Sequence, residues 1–257
     1  MILQTPKNHF NEDIGRAKAV LSYMNGLPHG AVKNEVSRLA WMMAVGALDA
    51  YFCDAYGDLI ARTLRAKQRE PDINIKNRLE NLLVPAMILI RSNPSDGWRW
   101  RMVARDIIQK DNVLSISKIK DLFNQFFKPN EKLFSSNATS VDRWILHRDN
   151  KFRLFGITRS SFRHTPVNKK NSVKATAVQH LEQRFEDIFQ RRHDCIHNCD
   201  RPKFAVHNDH LNYTSVHKVI QDIEFLVSRV HEDLIRRFPV YLTELGFSSV
   251  TRNNVGC

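Results

Sequence analysis

Residues 173–198 read VKATAVQHLEQRFEDIFQRRHDCIHN, and Val173, Ala177, Leu181, Phe185 and Ile188 recur three or four positions apart. That spacing lines one face of a helix at 3.6 residues per turn. Four residues further along the same stripe stands Arg192. The stretch predicts an amphipathic helix that delivers a guanidinium where apolar residues had been, with His193, Asp194, His197 and Asn198 around its C-terminal end.

The same periodicity recurs on either side. Within 34–68, apolar side chains fall at 36, 39, 40, 43, 47, 50, 51, 55 and 59, which predicts a long core helix ended by Pro71 and Asp72. A second helix is expected over 75–90, interrupted by Pro85, which lacks a backbone donor. A dense turn signal at 93–97 precedes two further amphipathic stretches at 98–110 and 115–127. A last helix is expected from about 215 to 237, with Val216, Val219, Ile223, Leu226, Val230 and Leu234 inward and Pro239 at its end.

Periodicity disappears between 147 and 172, where seven Lys or Arg face one Asp and Phe152, Phe155 and Phe162 are interleaved. This predicts a basic loop, and its cations Arg148, Lys151, Arg153, Arg159, Arg163, Lys169 and Lys170 are candidates for contact with single-stranded RNA, with the rings available for base stacking. No strand-like alternation and no repeat period is present. The expected fold class is therefore all-α, a helical bundle forming a single domain over 1–257, with its core at about 34–93 and 173–245 and an inserted or elaborated segment at about 94–172.

Composition narrows the partners. Lys plus Arg outnumber Asp plus Glu by 39 to 27, a net charge of +12, and a field of that sign attracts polyanions. Four scattered cysteines, Cys53, Cys195, Cys199 and Cys257, do not make the staple framework of a small secreted protein. The opening residues lack a leader's apolar core, and the longest uncharged apolar stretch, 39–48, is far too short for a bilayer span. A cytoplasmic protein with no membrane partner is the expectation.

The residue types after position 191 suit phosphate chemistry. Cleaving RNA without a metal needs a base for the 2′-hydroxyl proton, an acid for the departing 5′-oxygen and a cation for the phosphorane. Imidazole titrates near neutrality, and guanidinium keeps its charge and forks onto phosphate oxygens. One chain offers an incomplete set, so a homodimer with a composite site is expected. Zinc is the competing reading of His193, Cys195, His197 and Cys199, but on a helix the two histidines face one way and the two cysteines another. No metal or cofactor is expected. Spacing alone carries little, because a chain with 23 Arg and 11 His contains about one Arg-x4-His match by chance. Arg159 and His164 are a second instance.

Context distinguishes the match at 192–197: an arginine followed by a polar residue at the C-terminal end of an amphipathic helix, with an apolar residue directly before the histidine, in a basic all-helical chain. Here the sequence resembles the HEPN superfamily. The resemblance covers 34–67, where Ala47-Leu48-Asp49-Ala50-Tyr51-Phe52 reads like that family's second helix, and 173–237, where Arg192-His193-Asp194-Cys195-Ile196-His197-Asn198 fits its Arg-polar-x-x-x-His signature.

The resemblance implies an up-and-down four-helix bundle, a homodimer and metal-independent endoribonuclease activity leaving a cyclic phosphate, in toxin, antiphage-defence or RNA-processing roles. A neutralising antitoxin or a defence-system protein would be a further partner. By position, Arg192 and His197 are the catalytic pair and His193 the supporting polar residue. Asp49 is the candidate to hold Arg192 from the neighbouring helix, with Asp194 and Asn198 beside it. Cys199 stands where one subset of the family has a tyrosine that is modified to silence the toxin. The alternative expectation is a non-catalytic HEPN-like module that binds nucleic acid or a partner protein.

Overall fold

The stripe of 34–68 becomes the longest element of the computed structural model, which describes residues 2–28, 30–75, 115–197 and 211–256, the side chain of His197 excepted. This helix, α2 (Ala31–Arg69), spans about 58 Å at 1.5 Å per residue. It is preceded by α1 (Gln4–Met24) and followed by α3 (Ile116–Phe123), which a single 3-10 turn (Asn124–Phe126) extends. Then come α4 (Thr139–Ile145), α5 (Phe152–Phe155), α6 (Arg159–Arg163), α7 (Val167–His197), α8 (Tyr213–Glu244) and α9 (Ser249–Asn254). Among the described residues there is no strand, and that part of the chain is all-α.

Helix α1 is absent from the sequence expectations. Its buried residues Phe10, Ile14, Ala17, Leu21 and Met24 make a stripe at three-and-four spacing that lies antiparallel along α2. Phe10 meets Tyr51 edge to face, and Ser37 donates a hydrogen bond to the Met24 sulfur at the other end of the pair. The backbone N–H of Leu3 reaches the buried Asp58 carboxylate at 3.1 Å, and Arg62 bridges that carboxylate to the Val255 carbonyl. One buried ion pair thus ties α1, α2 and the turn after α9 together.

Helix α8 packs against both α1 and α2 and is the longest of the later elements. Asn212 and Ser215 form a reciprocal capping box that satisfies backbone donors at its start. It does not stop before Pro239. The helix runs through that residue to Glu244, because Phe238, Tyr241 and Leu242 continue its buried face while Ile235, whose carbonyl loses its helical partner, lies on the exposed side where water substitutes. Phe126 and the rings of Tyr56, Phe238 and Tyr241 form an edge-to-face cluster that seats the 3-10 turn on α2 and α8.

The stretch 147–172 is not a loop. It folds as α5, α6 and the first turn and a half of α7, and its Phe155 and Phe162 are 1% exposed, leaving Phe152 as the ring in solvent. Helices this short escape a periodicity argument, since four or five residues complete barely one turn. Gly156 ends α5 at φ +64°, where a Cβ would sit within 2.6 Å of the His180 ring. The described part of 94–172 belongs to the same core as the long helices: Leu122, Phe123, Phe126, Trp144 and Phe155 are all buried in it. Expectations for 76–114, including the helices at 75–90 and 98–110, and for 198–210 lie outside the described residues.

Candidate active site

Four contacts along its length position α7. Lys174 pairs with Asp142 on α4 at 3.2 Å, and Lys120 on α3 pairs with Glu182. Arg184 reaches Asp222 on α8 at 2.9 Å, and the Trp41 indole of α2 donates to the Ile188 carbonyl at 3.3 Å. Between them Ala177, Leu181, Phe185, Ile188 and Phe189 are buried, so the stripe expected from the sequence is the face that packs. Burial of each of the four larger side chains, Leu181, Phe185, Ile188 and Phe189, stabilises by about 1.5–3 kcal/mol.

Arg192, the next position on that stripe, is half-buried and lies within electrostatic reach of Asp49 on α2. Burial raises the Asp49 carboxyl above the usual carboxylate range, and the Arg192 charge acts in the opposite sense, as does the Cys53 thiol that lies 3.9 Å from Asp49 Oδ1. That thiol is itself pushed up to about 12, first by burial and then by the Asp49 and Asp54 charges, so it stays protonated at neutral pH and is a weak nucleophile. Asp49 and Arg192, the pair expected across two helices, lie close enough for the guanidinium charge to act on the carboxyl, which accepts its hydrogen bond from the Cys53 thiol.

Beyond Arg192 the helix continues through His197. His193 is exposed, and Asp194 is half-buried and accepts a hydrogen bond from the Gln190 amide at 3.0 Å. The side chain of His197 and the whole of Asn198 lie outside the described residues. Helical geometry sets Arg192 and His197 about 7.5 Å apart along the axis and roughly 140° apart around it, whereas His193 and His197 share a side. Positions 192 and 197 therefore fall on different sides of the helix.

The basic residues of 148–170 divide. Arg148, Lys151, Arg159, Arg163 and Lys169 are exposed, and the Lys170 ammonium stands 5.9 Å from the centre of the Phe162 ring. Arg153 differs: its Nε lies 2.8 Å and its Nη2 2.7 Å from Asp222 Oδ1, so it closes a buried ion-pair network. Along α7, Lys170 precedes Arg192 by about 33 Å, so within one copy the exposed basic segment and the candidate catalytic end are far apart.

The sequence reading passes over Asp222, a carboxylate with no exposed surface that holds both Arg153 and Arg184. Its signal was available: Asp222 sits directly before Ile223 on a helix face where Val219, Ile220, Phe225 and Leu226 are all buried, and an acid there requires cationic partners. Among the described residues no group of three or more His, Cys, Asp or Glu side chains is arranged to hold a metal ion, and no helix is long and apolar enough to cross a membrane. The chain matches no protein-family model, no curated protein and no solved structure.

Proposed function

We propose that this chain is a metal-independent endoribonuclease of the HEPN kind, working as a homodimer whose two α7 ends meet around one scissile phosphate. The observation that carries the reading is the half-buried Arg192 beside Asp49, one and a half turns before His197 at the end of the same helix. A half-buried guanidinium with a carboxylate within electrostatic reach is partly desolvated and charge-compensated, which suits it to stabilise a phosphorane.

In the proposed reaction one His197 removes the 2′-hydroxyl proton, and the 2′-oxygen attacks phosphorus. The bond from phosphorus to the 5′-oxygen breaks as the His197 of the second copy protonates that oxygen. The products are a 2′,3′-cyclic phosphate and a 5′-hydroxyl, with no net change in protons. Arg192 stabilises the charge on the equatorial oxygens, and His193, on the same side as His197, helps to orient the phosphate.

The test is cleavage of single-stranded RNA by purified protein in the presence of a chelator, with the product ends analysed. Arg192→Ala should lose roughly 10²–10³-fold in rate, the scale of removing one oxyanion-stabilising donor, and Arg192→Lys should recover only part because an ammonium lacks the fork. Wild-type rates in Arg192→Ala would reject the reading.

A second reading, a non-catalytic module that binds nucleic acid, is favoured by the exposed cations of 148–169, which lie far from Arg192. In that case charge reversal at Arg159 and Arg163 abolishes RNA binding, Arg192→Ala leaves it intact and no cleavage accompanies it.

A further inference from the structure

Away from the end of α7, an open cleft of about 910 Å³ lies between the turn joining α1 to α2, the first turn of α8 and the middle of α7. That volume is within the range of small-molecule sites, about 300–1,000 Å³. Its lining carries four cations, Lys33, Arg153, Arg184 and Lys218, and among the described residues no Asp or Glu lines it.

The two arginines are what make this more than a basic surface. Their side chains are 27% and 25% exposed, and they share a single carboxylate, Asp222, which is wholly buried behind them. Asp222 fixes both guanidiniums: Arg153 through Nε and Nη2, Arg184 through Nε at 2.9 Å. Two cations against one anion leave an excess positive charge on a rigid, partly desolvated wall. Lys33 and Lys218 add to it, and the amino end of the α8 dipole opens onto the same space. Positive charge held out of bulk water calls for a counter-anion, and guanidinium forks match phosphate oxygens.

The remaining wall is suited to a ring. Trp41 lines the cleft, fixed by its indole bond to Ile188, and Tyr213 lines it from the first turn of α8, stacked on His217 with their planes 9° apart. Planar side chains beside fixed cations are the pairing that holds a base together with its phosphate.

We infer that this cleft binds a nucleoside phosphate, the phosphate on the Arg153–Arg184 pair with Lys33 and Lys218, and the base against Tyr213 and Trp41. The ligand is either a free nucleotide or one unit of a single RNA strand. The site stands apart from the proposed catalytic end, since Arg184 precedes Arg192 by eight residues, about 12 Å along α7. It therefore does not depend on the cleavage reading.

Titration calorimetry of the full chain with adenosine 5′-monophosphate, adenosine and a hexanucleotide RNA tests it. The nucleotide should bind saturably and at least tenfold more tightly than the nucleoside. Lys218→Glu, at an exposed position, should weaken it at least fivefold while melting at the wild-type temperature, Lys33→Glu, at a half-buried position whose ammonium donates to the Leu27 carbonyl, should weaken it at least fivefold, and Tyr213→Ala should weaken it several-fold. Arg192→Ala should bind as wild type, so this site and the catalytic reading can fail separately. A hexanucleotide binding at least tenfold more tightly than the mononucleotide identifies an RNA strand as the source, and equal affinity identifies the free nucleotide. Equal affinity for nucleoside and nucleotide, wild-type affinity in Lys33→Glu and Lys218→Glu, loss of binding in Arg192→Ala alone, or no binding of any probe would each overturn the assignment.

Discussion

Replacing Asp222 by asparagine should be among the most damaging isosteric changes in this protein. The carboxylate has no exposed surface and accepts from Arg153 Nε at 2.8 Å and Arg184 Nε at 2.9 Å, with the Nη2 atoms of the two guanidiniums 2.7 and 2.9 Å away. Asparagine keeps the shape but removes the charge and turns an NH₂ toward one of the donors. Breaking a buried pair by removing one partner costs about 3–5 kcal/mol. Both guanidiniums retain about a quarter of their surface in water, which recovers part of that loss, so about 3 kcal/mol is the expected penalty. For a chain of this size roughly 2–4 °C of melting temperature is lost per kcal/mol, so the variant should melt about 6–12 °C below wild type. Urea denaturation gives the free energy directly, and a cycle with Arg184→Ala should show strong non-additivity. A penalty below about 1 kcal/mol would refute the claim that this carboxylate organises α5, α7 and α8.

Two further predictions concern stability. His231 lies 3.1 Å from the Tyr51 hydroxyl, and burial, with the Lys7 charge, lowers its pKa from 6.5 to about 4. Between those values the unfolded chain binds the proton and the folded chain does not, so stability is complete above about pH 6.5 and falls as pH drops toward 4. The ring is only partly sheltered, so the loss should be about 1–2 kcal/mol rather than the roughly 3 that the full shift represents. His231→Gln should flatten that part of the stability profile, and an unchanged slope would contradict the assignment. Gly156→Ala should cost about 1 kcal/mol from its positive φ, plus whatever moving the exposed His180 ring requires. Adding His180→Ala should remove the second part and leave the first, as chemical denaturation would read.

Much of the fold is legible in the sequence because long buried stripes leave a period. Val173, Ala177, Leu181, Phe185 and Ile188 specify the face of α7, and the stripe over 34–68 specifies α2. Helix α1 carries an equally regular set, yet its stripe passes through the small Ala17 and sits among polar neighbours, with Pro6 and Gly15 in its length, which makes it faint. The short helices α5 and α6 leave no period at all, and their order comes from tertiary contacts such as Arg153 with Asp222. Pro239 misleads in the other direction, since a buried face continuing past a proline outweighs the lost backbone bond. At the candidate site, the position of Arg192 is legible because it continues the buried stripe of α7, where it is half-buried and its charge acts on Asp49. The cationic cleft is not, because Lys33, Arg153, Arg184 and Lys218 come from four separate elements and share no local motif.

The most direct test of the catalytic proposal is the rate at which purified His197→Ala cleaves single-stranded RNA beside wild type, both in excess chelator. Loss of a general acid–base should slow cleavage by roughly 10²–10⁴-fold, with wild type still active and its products ending in a 2′,3′-cyclic phosphate. A variant as fast as wild type, or wild-type cleavage that stops when the chelator is added, would contradict the account.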